Sequence, residues 1–257
     1  MTQVTKHNPL KGSKLVRFLS EYEISNVEVS HKNFAERLGL LVDLSDSVTL
    51  SESLRAIPKM VHKTAEVVAE KEGDNLVQAF LKQRSAVLES ILKSFDSKAV
   101  FIQFKLPIPK SNTSIEEAIK FDQYQRFYLL HQSELDFKIE QIRSFVRKVI
   151  SEYSLNLAQL AELDKTFSKS MTIHTRKRFS VVPQLLKVRF DQLYSDYCDS
   201  LSESTCVDKP IFWVTKNGWL TQFYSEMQQI LLAEFEVRLE PIIGLVEAYN
   251  EEIEKKI

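Results

Sequence analysis

Apolar residues recur every three or four positions from Phe121 to Phe167, through Tyr124, Tyr128, His131, Leu135, Ile139, Ile142, Val146, Val149, Tyr153, Leu157, Leu160 and Leu163. That period places them on one face of an α-helix, and no glycine or proline interrupts it. At ~1.5 Å per residue the stretch predicts a rod on the order of 70 Å long. Ser114 and Glu117 offer a capping box at its start, and the cluster Ser168, Ser170, Thr172 places its end near Lys165 to Ser170. His131 lies on the apolar stripe, where a hydrogen-bonded core histidine is the expected role rather than a catalytic base.

Other helical patterns flank the rod. Gly12 or Ser13 precedes Leu15, Val16, Phe18 and Leu19; Ser30 leads into Phe34, Leu38 and Leu41; Ser45 or Asp46 leads into Val48, Leu50, Leu54 and Ile57. Each stripe is narrow and each helix too short to stand alone. After Pro58 a longer helical stretch runs to about Phe95, with Val67, Leu76, Phe80, Val87, Leu88, Ile91 and Leu92 inward and a break or bend at Gly73-Asp74-Asn75.

Beyond the rod, a helix carries Val182, Leu186, Leu193 and Tyr197, with Pro183 either opening it or kinking a continuous one. A last helix carries Leu220, Phe223, Met227, Ile230, Leu231, Phe235, Ile242, Val246, Tyr249 and Ile253, bent at Pro241. The chain thus reads as all-α, an elongated bundle of long antiparallel helices with a small N-terminal helical subdomain. Residues 1–57 form that subdomain and 58–257 the long-helix bundle, with 99–113 and 199–217 as loops; a single continuous domain is the other division. The segment from Val100 to Lys110, with Pro107 and Pro109, is either a linker laid over an apolar groove or an exposed docking strand.

Composition narrows the class. The chain has 257 residues, 44% hydrophobic and 27% charged, enough to bury a sizeable core. Five glycines leave little material for hairpins or phosphate-cradling loops, against a β or nucleotide-binding α/β fold. No secretory leader pattern opens the sequence, and no uncharged apolar run reaches the ~18 residues of a membrane span, so the expectation is a soluble cytoplasmic protein with Cys198 and Cys206 as thiols. Those cysteines lack companions at zinc spacing, the histidines are dispersed, and no nucleophile motif is present. No catalytic residue, metal or cofactor is expected, and the protein is read as non-enzymatic.

Net charge is −1, but its distribution is uneven. Lys165, Lys169, Arg176, Lys177, Arg178, Lys187 and Arg189 fall in a stretch without Asp or Glu, whereas the last helix is acidic, with Glu226, Glu234 and Glu236 among its carboxylates. Two readings stand for the basic block: phosphate contacts to DNA, or charge pairing against the last helix or a partner. Phe212, Trp213 and Trp219 flank a loop and are either joint packing or anchors for a protein partner.

The residues Leu15-Val16-Arg17-Phe18-Leu19, Phe34-Ala35-Glu36-Arg37-Leu38, Asp46-Ser47, Leu50-Ser51 and Leu54 resemble an uncharacterised bacterial family, domain of unknown function 3348. The likeness continues through Tyr128, Arg143, Val146-Arg147, Leu160-Ala161, Leu163-Asp164 and Pro183 to Arg189-Phe190. The family's gene setting, beside stator-type proton channels and an outer-membrane-protein-A-like partner, looks like Zorya anti-phage defence. The resemblance implies a cytosolic adaptor or effector subunit that binds a companion soluble defence protein and the cytosolic part of a stator-like motor. It carries no catalytic residues over.

Overall fold

A computed structural model describes residues 44–59, 73–98, 103–201 and 209–255. The two short helices read before residue 44, Val67 and Cys206 lie outside these residues. All regular structure among the described residues is helical: α1 (Leu44–Ala56) with a 3₁₀ turn (Ile57–Lys59), α2 (Gly73–Ser94), α3 (Ile115–Ala118), α4 (Asp122–Tyr153), α5 (Leu155–Phe179), α6 (Val182–Ser200), a second 3₁₀ turn (Pro210–Val214) and α7 (Trp219–Glu254).

The single rod expected from Phe121 to Phe167 is two helices folded back on each other. Ser154 sits in extended backbone (φ −153°, ψ 162°), and its hydroxyl accepts a hydrogen bond from the Leu157 N–H, capping α5. The apolar period runs through the turn because both helices bury that face. The hydroxyls of the Ser168/Thr172 cluster do not end the helix either. Thr166, Ser168 and Thr172 each donate to a carbonyl three or four residues earlier, so they sit inside α5 and the helix continues to Phe179.

Ser114 does cap, accepting from the Glu117 N–H, but α3 is only one turn long. Tyr124 donates its hydroxyl to the Ala118 carbonyl, the acceptor that Asp122 N–H would use in a continuous helix.

Between α5 and α6, Pro183 lies in the first turn of α6 while Ser180 and Val181 keep helical dihedrals, so α5 and α6 form one bent rod. Pro183 has no N–H to give the Phe179 carbonyl, and the Gln132 side chain on α4 donates to that carbonyl instead, at 3.1 Å. The bent rod lies antiparallel along α4, with Arg147 against Asp164, Gln132 against Phe179 and Phe121 against Phe190.

Helix α7 lies parallel to α4, with Tyr124 on Phe223 and Tyr153 on Tyr249, and touches α2, α5, α6 and the second 3₁₀ turn as well. Leu220, Phe223, Met227, Ile230, Leu231, Phe235, Leu239 and Ile242 are fully buried along it. A helix apolar around most of its circumference belongs at the centre of a bundle. It runs through Pro241, which faces solvent.

Leu76, Phe80, Val87 and Ile91 of α2 are inward as expected, whereas Leu92 is exposed. Val48 and Leu54 of α1 are likewise exposed, so the stripe read there is not a buried one. α1 and its 3₁₀ turn lean on α5, where Gln159 donates to the Ile57 carbonyl.

Among described residues of the 99–113 segment, Leu106 and Pro109 are buried, Phe104 packs on His131, and the Pro107 carbonyl accepts from Tyr224 Oη at 2.7 Å. From Phe104 to Pro109 this is a strap over an apolar groove, not a free docking strand. The strap desolvates Tyr224 and pushes its phenol pKa up.

Candidate interaction surface and buried polar centre

The basic block divides by helical geometry. Arg189 turns inward from α6 and makes a bidentate pair with Glu226 of α7, at 2.8 and 2.9 Å, with Gln222 donating to the same carboxylate. Arg176 reaches Asp136 of α4 at 3.7 Å from a largely exposed position. Lys165 and Lys187 pair along their own helices with Glu162 and Asp191. Lys169, Lys177 and Arg178 are exposed and have no ion-pair partner among the described residues. Pairing against the acidic last helix therefore accounts for Arg189, and three cations face outward.

The outward cations share their stripe with apolar groups. Lys169, Ile173, Lys177, Val181 and Val188 follow each other at helical spacing along the outer face of α5 and α6; Ile173 is 75% exposed and Val188 59%. The residues read as aromatic anchors behave differently from one another. Trp213 and Trp219 are buried, lie 5.3 Å apart with their rings tilted and pack on Tyr194 and Tyr197, which makes them joint packing between the second 3₁₀ turn, α6 and α7. Phe212 alone of the three is at the surface. Gly218 lets that joint close: a Cβ there would lie 1.9 Å from the Trp213 carbonyl oxygen.

Sequence reasoning did not find the most polar place in the core. Glu234 of α7 is fully buried and accepts from Tyr128 Oη at 2.8 Å, from Gln132 Nε2 at 3.0 Å and from Arg238. Arg238 also pairs with Asp136 and lies 4.2 Å over the Phe179 ring. Burial, with the Glu234 charge beside it, holds the Tyr128 phenol well above its ordinary pKa. The only sequence signal was a Glu and an Arg four residues apart inside an apolar run. The donors converge from α4 and α7, so the carboxylate is saturated, a locking role rather than a reactive one.

His131 is the opposite case. It is 2% exposed, wrapped by Phe95, Phe104 and Phe127, and its Nε2 has no hydrogen-bond partner. Desolvation pushes its pKa down to about 4. It is a core histidine as read, but Nε2 lacks the hydrogen bond expected of one.

Among described residues no group of His, Cys, Asp and Glu is arranged to hold a metal ion, and no helix is long and apolar enough to cross a membrane. The family model for "Protein of unknown function (DUF3348)" matches residues 1–251. The chain belongs to this family. Comparisons with curated proteins and with solved structures give no match. As a DUF3348 member it therefore offers its own surface as the guide to its role, and along the α5–α6 stripe exposed cations alternate with exposed aliphatic groups.

Proposed function

We propose that this chain is a non-enzymatic helical adaptor or effector subunit that docks an acidic protein through the outer face of α5 and α6. The observation that carries the reading is the interleaving of Lys169, Lys177 and Arg178 with exposed Ile173, Val181 and Val188 on a rod held stiff from behind by Arg147–Asp164, Gln132–Phe179 and Arg189–Glu226. Protein interfaces pair an apolar centre with a charged rim, and charge complementarity selects the partner. The resemblance to Zorya-associated genes supplies the setting: a bacterial cytosolic component acting with a companion soluble defence protein and the cytosolic part of a proton-driven motor.

Co-purification of the tagged chain with the products of its neighbouring genes tests this. A complex with wild type that is lost in Ile173→Ser/Lys177→Glu, with unchanged melting, is the expected result. A complex indifferent to that double substitution, or no complex with any neighbour product, overturns it.

DNA is the second reading, favoured by the same three cations. Direct phosphate contact accounts for Lys169, Lys177 and Arg178 but leaves Ile173, Val181 and Val188 without a role. Salt-sensitive binding to duplex DNA by the isolated chain would place that reading first.

A further inference from the structure

Helix α1 leans on α5 through one side. Leu50 and Ser53, with Ile57 of the following 3₁₀ turn, are half-buried, while the other described side chains of α1 are exposed. Gln159 donates to the Ile57 carbonyl, and only four residues of α5 precede Gln159. α1 therefore runs from Gln159 toward the C-terminal end of α5. Its 13 residues span about 20 Å, the distance along α5 from Gln159 to about Thr172. That brings Leu44, the first described residue, to the level of Ile173.

The face under α1 does not stop there. Gln159, Thr166, Ile173 and Lys177 follow at intervals of seven, seven and four, which is one stripe of a helix. The surface that carries α1 thus continues into the exposed stripe of Ile173, Lys177, Val181 and Val188.

Residues 1–43 precede α1, and one part of them has the composition that this stripe complements. From Ser20 to Ser30 the sequence carries Glu21, Glu23 and Glu28 without any Lys or Arg, interleaved with Tyr22, Ile24, Val27 and Val29. The stripe presents the converse, Lys169, Lys177 and Arg178 among aliphatic groups. The length also fits. Ser30 lies fourteen residues before Leu44, a reach of up to about 46 Å, whereas Ile173 to Val188 is about 23 Å along the rod.

We propose that the segment Ser20–Ser30 of the chain itself docks on the outer face of α5 and α6. Its glutamates meet Lys169, Lys177 and Arg178, and its apolar groups meet Ile173, Val181 and Val188. This rests on the reading of that face as a site for acidic protein, and it adds the regulation of the site. A short tether holds a segment at an effective concentration on the order of millimolar, so an external partner binds by displacing the chain's own occupant.

The test is cross-linking of the full chain with a water-soluble carbodiimide, which joins an amine to a carboxylate without a spacer, read by mass spectrometry of the monomer. The expected result is Glu21, Glu23 or Glu28 joined to Lys169 or Lys177, with Lys187 and Asp191, 2.6 Å apart, as the internal control. A second readout is the anisotropy of a fluorescent peptide of residues 20–30. It should bind Glu21→Gln/Glu23→Gln/Glu28→Gln at least about ten-fold more tightly than wild type, in which the tethered segment competes. Equal binding by the two chains, a joined control pair without the predicted links, or links confined to a dimer overturns the proposal. If the links are absent but peptide binding needs Lys169, Lys177 and Arg178, only the intramolecular occupant falls. Peptide binding indifferent to Lys169→Gln/Lys177→Gln/Arg178→Gln removes both the occupant and the reading of the face.

Discussion

The inward and outward faces of the α5–α6 rod treat charge in opposite ways. Inward, the strongest pairs form: Arg147 on Asp164, Arg189 on Glu226, and at the bend Arg238 on Glu234 and Asp136, whereas Arg143 of α4 keeps a buried Nε without a hydrogen-bond partner among the described residues. Outward, Lys169, Lys177 and Arg178 stand among Ile173, Val181 and Val188 without an ion-pair partner in the described residues. A run of like charge in sequence is thus two populations in space, because successive helical residues are rotated by about 100°. The matched charges are structural, and the unmatched ones are available for recognition.

Removing a matched inward partner should have the largest effect. Glu234→Ala leaves Arg238 with Asp136 as its carboxylate among the described residues, and Glu226→Ala removes the bidentate carboxylate from Arg189; each should cost about 3–5 kcal/mol by urea unfolding. A loss within the range of a surface mutation would erase the distinction between the two faces.

His131 sharpens the comparison because it is inward yet unmatched. Its folded pKa, about 4, lies below the unfolded value of about 6.5, so between those values the unfolded chain binds the extra proton. Its contribution should be intact above pH 6.5 and lost as pH falls toward 4, on the order of 3 kcal/mol. His131→Phe should flatten that part of the stability profile, and an unchanged profile would show that the imidazole is solvated.

Ser154→Ala comes next. Loss of the cap at the α4–α5 turn should cost about 1 kcal/mol, read as a lower melting temperature with no change in helix content. The smallest effect on stability belongs to Lys169→Ala/Lys177→Ala/Arg178→Ala. It should move stability by no more than about 0.5 kcal/mol per substitution while abolishing partner binding.

Much of the architecture is legible in apolar spacing. The inward positions of α7 from Leu220 to Tyr249 and the all-helical class follow from it directly, because burial on one face must repeat with the helical turn. The hairpin at Ser154 does not. A cap made by one serine hydroxyl interrupts the helix without disturbing the period, so the stripe reads through it. Ser168 and Thr172 mislead in the other direction, since their hydroxyls have acceptors inside the helix.

Site legibility is lower still. Seven basic residues could be named, but whether Arg189 meets a carboxylate or Lys177 meets water depends on which elements lie behind them. The Glu234 centre joins residues about a hundred positions apart, the aromatic pocket around His131 joins Phe95, Phe104 and Phe127 from three segments, and neither leaves a local pattern.

The most direct test of the outward face is an anisotropy titration of the full chain against random duplex DNA at two salt concentrations. If the face reads an acidic protein surface, no saturable binding appears near physiological salt and neutralising Lys169, Lys177 and Arg178 changes nothing. Saturable, salt-sensitive binding abolished by those three substitutions would contradict the account and assign the outer face of α5 and α6 to nucleic acid.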